Sequence, residues 1–409
     1  MTAIADMLER RRKAAAEAWN LDDGVVLVAA GQAVPIPGRG DPTYPFRAHA
    51  EYFWLTDRER PDGVLAFDPG EGWIEFVAPV TTLELTWSGL EGDREGVPEG
   101  TRPLDELDGW LAGRTARRLG ATAEPDIALR NALIRARRPK DDVEIERMRI
   151  AAAATAAGFA ELVPEIAAGR TERELQITLE AAFLRNGGDF FAFDTIVAAG
   201  THAAVLHFSP TLSELCDGQV LLVDAGAEHR GYAADVTRTY AVSGAFSTEQ
   251  QLAYDTVRRA LDESIAACRP GGAWRDVHRT AGLVIAEGLI ELGVLEGAPE
   301  TLVESGAVRL FFPHGIGHMI GLGVRDAGPA TDEPSSPGLR LDIDLEPRQA
   351  WTVEPGLYFV RPLLAAERGH EGVNWERVEE LLDFGGVRLE HDVLITDDGC
   401  EVLTASIPL

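Results

Sequence analysis

Four carboxylates and one imidazole in the second half of the chain are candidates for metal chemistry: Asp224, Asp235, His318, Glu354 and Glu390. Residues 220–242, VLLVDAGAEHRGYAADVTRTYAV, run an apolar strand into Asp224, turn through Gly226 and Gly231, and return with Asp235. A turn about His229 and Arg230 sets Asp224 directly opposite Asp235 on an antiparallel pair, with Cβ atoms about 4.5–5.5 Å apart. Flanked by Leu221, Leu222 and Val223, two such carboxylates do not both stay ionised without a cation between them. They share a proton or hold metal. The simpler alternative is that one aspartate merely serves the turn.

Residues 311–327, FFPHGIGHMIGLGVRDA, place His314 and His318 four apart, but Gly315, Gly317, Gly321 and Gly323 disfavour a regular helix. Glycine at this density lets the backbone approach something closely, and the histidines offer neutral nitrogen ligands. No G-x-G-x-x-G follows a strand and no GK[ST] occurs, so a phosphate loop is rejected. Taken alone, these histidines can equally be plain polar groups. Glu354, in WTVEPGLYF, and Glu390, in FGGVRLEHDVLI, both interrupt apolar strands. A charge there costs several kcal/mol, on the order of the burial penalty, unless paired or metal-bound. Arg388, two positions before Glu390, offers it an ordinary ion pair; Glu354 has no such neighbour. Together the oxygen-rich set with one nitrogen suits Mn²⁺ or a similar first-row dication better than a structural zinc site. Two carboxylates can bridge two ions about 3.5–4 Å apart, with a shared hydroxide as nucleophile.

These residues need a scaffold. The 409 residues suffice for two domains, and 45% hydrophobic with 26% charged content is that of a folded chain. To about residue 131 short strand patterns (24–29, 63–67, 74–77) and a helical pattern near 104–111 predict a compact α/β unit. A charged, proline-containing stretch, RARRPKDD at 135–142, marks the cut, giving domains 1–135 and 136–409. Beyond it helices fit 143–162, 172–186, 247–269 and 274–292. Strands fit 194–199, 218–225, 234–242, 350–353, 356–360, 387–389 and 393–396. The first twenty residues are too charged for a secretory signal and suit a surface helix. Three widely spaced cysteines fit a reducing cytoplasm, and no apolar run spans a membrane. A formal charge of −29 repels nucleic acid and anionic lipid, excluding both as expected partners.

The segments VDAGAEHRGYAADVTRTY, PHGIGHMIGLGVRDAG, TVEPGLYF and GGVRLEHDV together resemble the metallopeptidase family of methionine aminopeptidase, aminopeptidase P and prolidase. The resemblance implies an α+β chain: an N-terminal creatinase-like α/β domain, which residues 46–67 also resemble, and a C-terminal pita-bread catalytic domain. It implies two divalent ions, Mn²⁺ first and Co²⁺ or Zn²⁺ as alternatives, on Asp224, Asp235, His318, Glu354 and Glu390. It further assigns proton shuttling to Glu354, substrate contact near the scissile bond to His207 in VLHFSP, and a supporting role behind the ligands to His314. Taken by itself, His207 is as readily a hydrogen-bonded histidine at a strand end.

Within the family, residues 358–390 are similar to the long insertion and FGG-R-[IL]-E ending of prolidases, which implies hydrolysis of Xaa-Pro dipeptides. Aminopeptidase P activity on longer peptides is the alternative. A dipeptide carboxylate beside the metals calls for a guanidinium, and the resemblance offers Arg340 and Arg388. One departure stands out: where the family usually has V-H-D, this chain has Val324, Arg325 and Asp326, so Arg325 is expected to meet the oxyanion or the product carboxylate. Arg47 and Tyr52 are candidates to reach the site, of this chain or of a neighbouring subunit, with a surface salt bridge preferred for Arg47. A homodimer and a small proline-containing peptide substrate are expected from the resemblance alone.

Overall fold

The computed structural model describes residues 3–88, 96–242 and 244–409. The chain forms two compact units, Met1–Arg137 with Ala330–Asp332, and Arg138–Pro329 with Glu333–Leu409.

In the first unit, strands β1 (Val25–Ala29), β2 (Val64–Asp68), β3 (Gly72–Val77), β4 (Arg102–Pro103) and β5 (Ala116–Gly120) form one sheet in the order β4-β3-β2-β1-β5. The outer pairs β1–β5 and β3–β4 are parallel and the inner ones antiparallel. The N-terminal helix Ala3–Trp19 is only partly a surface element. Met7, Arg11, Ala15 and Trp19 recur at helical spacing and are buried, and Trp19 donates its indole N–H to the Leu129 carbonyl. Tyr52 lies in the core of this unit, its hydroxyl donating to Glu75 at 2.6 Å. That burial removes it as a group reaching out to another subunit. Arg47 stands 4.0 Å from Glu59.

The second unit opens with helices Asp142–Leu162 and Glu172–Arg185, started by capping boxes Asp141/Glu144 and Thr171/Glu174 that satisfy free N–H groups of the first turns. Short strands β6 (Phe190–Phe191) and β7 (Ile196–Ala199) lead to β8 (Val220–Ala225), β9 (Ala227–His229), β10 (Tyr232–Ala233) and β11 (Val236–Ala241). After helices Thr248–Ala267 and Trp274–Glu291 come β12 (Ala350–Val353), β13 (Gly356–Tyr358), β14 (Gly386–Arg388), β15 (His391–Ile395) and β16 (Cys400–Val402). The strands group as β11-β8-β7, β10-β9-β6, β12-β15-β16 and β13-β14. A large apolar core forms against the two long helices, with Trp274 and Trp351 ring centroids 4.4 Å apart. That core backs β12 and β15 and fixes the strand ends where the carboxylates emerge.

The hairpin register differs from the expected one. Asp224 lies opposite Thr237, not Asp235, because the turn falls on Arg230 and Gly231 rather than His229 and Arg230. Both turn residues have positive φ, 52° and 80°, the conformation whose twist matches a two-residue hairpin, and glycine supplies the second at no steric cost. Moving a turn by one residue moves every partner by two. The side chains therefore keep their face, and Asp235 remains on the side of Asp224 as its diagonal neighbour.

Candidate metal centre

Two strand pairs deliver the carboxylates. Asp224 is the penultimate residue of β8 and Asp235 immediately precedes β11. Glu354 follows β12, and Glu390 lies between β14 and β15. Registers Val353 to His391 and Gly356 to Arg388 set Glu354 opposite Glu390 at the junction of two sheets. The pairs meet because β11 runs beside the second: Glu390 N–H donates to the Thr237 carbonyl at 3.1 Å.

Residues 316–319 pack along β12. His318 N–H donates to Thr352 Oγ1, Thr352 N–H to the His318 carbonyl, and Glu354 N–H to the Ile316 carbonyl. A Cβ on Gly317 would overlap the Thr352 carbonyl, so the close approach expected of these glycines is made to a strand. His318 Nδ1 lies 3.1 Å from the Met319 carbonyl. A carbonyl only accepts, so Nδ1 carries the proton and Nε2 presents its lone pair toward Asp235 Oδ2 at 3.6 Å and Glu354 Oε1 at 4.0 Å.

One ligand atom each from Asp235, His318 and Glu390 lies within 4.8 Å of the others. Asp224 and Glu354 line the same cavity of about 690 Å³. Glu390 is 1% exposed and Asp235 5% exposed. Burial, and then Glu390 and Asp224, push the Asp235 carboxyl well above its usual range; burial, then Glu354 and Asp224, do the same to Glu390. Glu354 is pushed up to about 7, chiefly by burial. Burial, with Arg325 adding to it, holds His318 neutral by lowering it to about 4. Asp224 Oδ1 is buried without a hydrogen-bond partner among the described residues. Mutually repelling carboxylates, a neutral imidazole and an orphaned acceptor fit divalent cations and no apolar ligand.

The surroundings hold the candidate ligands in place. Arg388 donates to Asp224 Oδ2 at 2.6 Å, not to Glu390 as its spacing suggested; its other donors go to Tyr358 Oη and Thr237 Oγ1. Burial opposes the Arg388 charge, but Tyr358, Asp224, Glu354 and Glu390 keep it protonated. Glu390 instead accepts from Thr237 Oγ1 at 2.7 Å. His314 donates Nδ1–H to the Gly315 carbonyl and accepts the Tyr358 hydroxyl on Nε2 at 2.8 Å; burial keeps it neutral, lowered to about 3. Asp392 accepts the Asp235 N–H at 3.0 Å. His207, Arg325 and Arg340 line the cavity with exposed side chains, and none of them makes an ion pair among the described residues. Sequence reasoning missed Tyr358, Thr237 and Asp392, although each lies within four positions of a ligand or directly across from one.

A metallopeptidase centre is what such a scaffold and ligand set define. The chain belongs to metallopeptidase family M24, whose model matches residues 146–397, and the model of the aminopeptidase P N-terminal domain matches residues 8–106. It is thus a two-domain protein with the pita-bread catalytic fold. It is 34% identical to Xaa-Pro aminopeptidase 1 of Streptomyces coelicolor, over 90% of this chain and 78% of that one. It is similar to proline aminopeptidase P II from Yersinia pestis (TM-score 0.83, 29% identity, 100% of this chain and 97% of that one). It is also similar to aminopeptidase P from E. coli with the inhibitor Pro-Leu (TM-score 0.84, 27% identity, 98% and 95%). These relatives carry the aminopeptidase name, and the expected membership of the prolidase branch finds no support in them. No helix among the described residues is long and apolar enough to cross a membrane.

Proposed function

We propose that the chain is a two-metal Xaa-Pro aminopeptidase, which removes the first residue of peptides whose second residue is proline. The names of its relatives favour this over the dipeptidase expectation, and so does Arg388. A dipeptide's carboxylate would need a guanidinium deep beside the cage, and Arg388 is already held by Asp224, Tyr358 and Thr237. Arg325 and Arg340, by contrast, are exposed and suit a chain that continues beyond proline. The observation that carries the reading is the convergence of Asp224, Asp235, His318, Glu354 and Glu390 on one cavity.

Two divalent ions held by these five residues, Mn²⁺ first among candidates, would supply Lewis acidity and an activated water at neutral pH. Glu354, whose carboxyl is raised above its usual range by burial, takes a proton from the attacking water and returns it to the proline nitrogen. That nitrogen bears no hydrogen and would otherwise leave as a poor anion. His207 donates to the oxygen that gains charge, and Arg325 adds a fixed cation where the family pattern expected from the sequence has histidine. His314 stays neutral and, through Tyr358, keeps Arg388 on Asp224.

Protein stripped by a chelator should lose activity on an Xaa-Pro-Xaa tripeptide and regain it with Mn²⁺. The tripeptide should outrun the matching Xaa-Pro dipeptide. Activity that survives chelation sinks the two-metal reading, and a dipeptide preference restores the prolidase one.

A further inference from the structure

The segment that carries His207 leaves β7 at Ala199, makes a 3-10 turn over Gly200–Ala204, and ends near Thr211. Leu206, His207, Phe208 and Ser209 line the cavity. His207 makes no side-chain hydrogen bond among the described residues, so its place is set by the backbone that carries it.

Both ends of that backbone are tied to one carboxylate, Glu172, the first residue of helix Glu172–Arg185. Oε1 accepts the Ala199 N–H at 3.0 Å and His202 Nδ1–H at 2.7 Å. Oε2 accepts the Thr211 N–H at 3.1 Å and the Thr211 hydroxyl at 2.7 Å. Glu172 is wholly buried. A buried carboxylate persists only when its lone pairs are satisfied, and four donors together with the helix N-terminus satisfy these. The His202 ring in turn stacks on Phe208, the neighbour of His207, with centroids 4.2 Å apart. From the other side the turn rests on Gly385 and Gly386, where added Cβ atoms would collide with the Gly200 and Ala203 carbonyls.

We infer that Glu172, with His202, is a positioning residue that holds the His207 loop at the metal cavity. None of its partners is a metal ligand, and the chemistry proposed above does not use it. The inference rests on the reading of His207 as a substrate contact. A carboxylate suits the task better than an amide, because both of its oxygens accept and each anchors a different end of the loop.

The test is Glu172→Gln in the full-length, Mn²⁺-loaded enzyme. Glutamine keeps one acceptor oxygen and puts an NH₂ where the other stood, so one end of the loop is released. We expect kcat/KM on an Xaa-Pro-Xaa tripeptide to fall about tenfold to a hundredfold. Mn²⁺ affinity should be unchanged. In a His207→Ala background the same substitution should cost nothing further, and the amides of Ala199 and Thr211 should exchange hydrogen faster. His202→Asn, at a partly exposed site, should give a smaller loss of the same kind and carries these measurements if Glu172→Gln does not fold. Wild-type kcat/KM in the variants, an equal loss in the His207→Ala background, or unaltered exchange would each overturn the inference. A wild-type enzyme that cleaves no Xaa-Pro peptide would defeat the proposed function instead, and exchange at Ala199 and Thr211 would still decide whether Glu172 holds the loop.

Discussion

Lys140→Met should destabilise the catalytic unit severely. Lys140 Nζ lies 2.6 Å from Asp326 Oδ2, and the two side chains are 0% and 1% exposed. Asp326 also accepts the Leu322 N–H at 3.0 Å, which closes the turn that carries Arg325. Methionine fills a similar volume but removes the ammonium that the buried Asp326 carboxylate faces. Breaking such a pair from one side costs about 3–5 kcal/mol, whereas an exposed pair contributes about 0–1. For a unit of this size that is a fall of roughly 10 °C in the melting midpoint. Thermal unfolding of wild type, Lys140→Met, Asp326→Asn and the double variant, compared as a cycle, separates the pair from its parts. The double variant should lose much less than the sum of the singles. A midpoint within 2 °C of wild type for Lys140→Met, on the order of 1 kcal/mol or less, or strict additivity, would refute this account of the pair.

Arg388→Met should weaken divalent-metal affinity by about tenfold to a hundredfold with the fold retained, because it frees Asp224 from its orienting donor; metal titration calorimetry would show it. Metal affinity should also fall on acidification. The Glu354 carboxyl, raised to about 7, is protonated below that pH and must lose its proton before it can bind a cation. Asp235 and Glu390 are pushed up as well and must also be deprotonated to bind a cation. Affinity should then fall by at least about tenfold per pH unit below 7 and keep changing above it, and calorimetry in buffers of different ionisation enthalpy should detect the released protons. Gly226→Ala should abolish metal binding, since its Cβ would overlap the Ala234 carbonyl and separate Asp224 from Asp235; metal content after reconstitution gives the answer.

The candidate carboxylates were legible in the sequence because a carboxylate that interrupts an apolar strand is conspicuous wherever it falls. Their pairing was legible only in part. The Asp224 face survived a misplaced turn because β side chains alternate with period two, while the partner itself shifted to Thr237. The Gly-rich stretch announced a close approach, but nothing local to it named β12 as the neighbour. Arg388 illustrates the limit more sharply. Its spacing pointed to Glu390, yet the packing of β14 beside β11 turned its guanidinium to Asp224, 164 residues away. Tyr358, Lys140 and Glu172 went unread for the same reason: each acts on residues remote in the chain, and local pattern carries no signal of that. In the N-terminal unit β1, β2 and β3 were clear from their apolar runs, whereas β4 and the arginine-bearing β5 were not read, and the burial of Tyr52 depends on Glu75 and could not be seen from its neighbours.

The opposition of Glu354 to Glu390 has a consequence for how the protein matures. Half of the cage comes from the hairpin between β8 and β11, which a ribosome delivers early, and the other half waits for β14 and β15. Until residue 390 has emerged and docked, Asp224 and its diagonal neighbour Asp235 lack the groups that would complete the coordination proposed above. On the proposed ligand set, cation loading would belong to the finished chain, and the ion, once bound, would lock in the last strands by mass action, so that starvation for metal should be felt as slack at the C-terminal end of the fold.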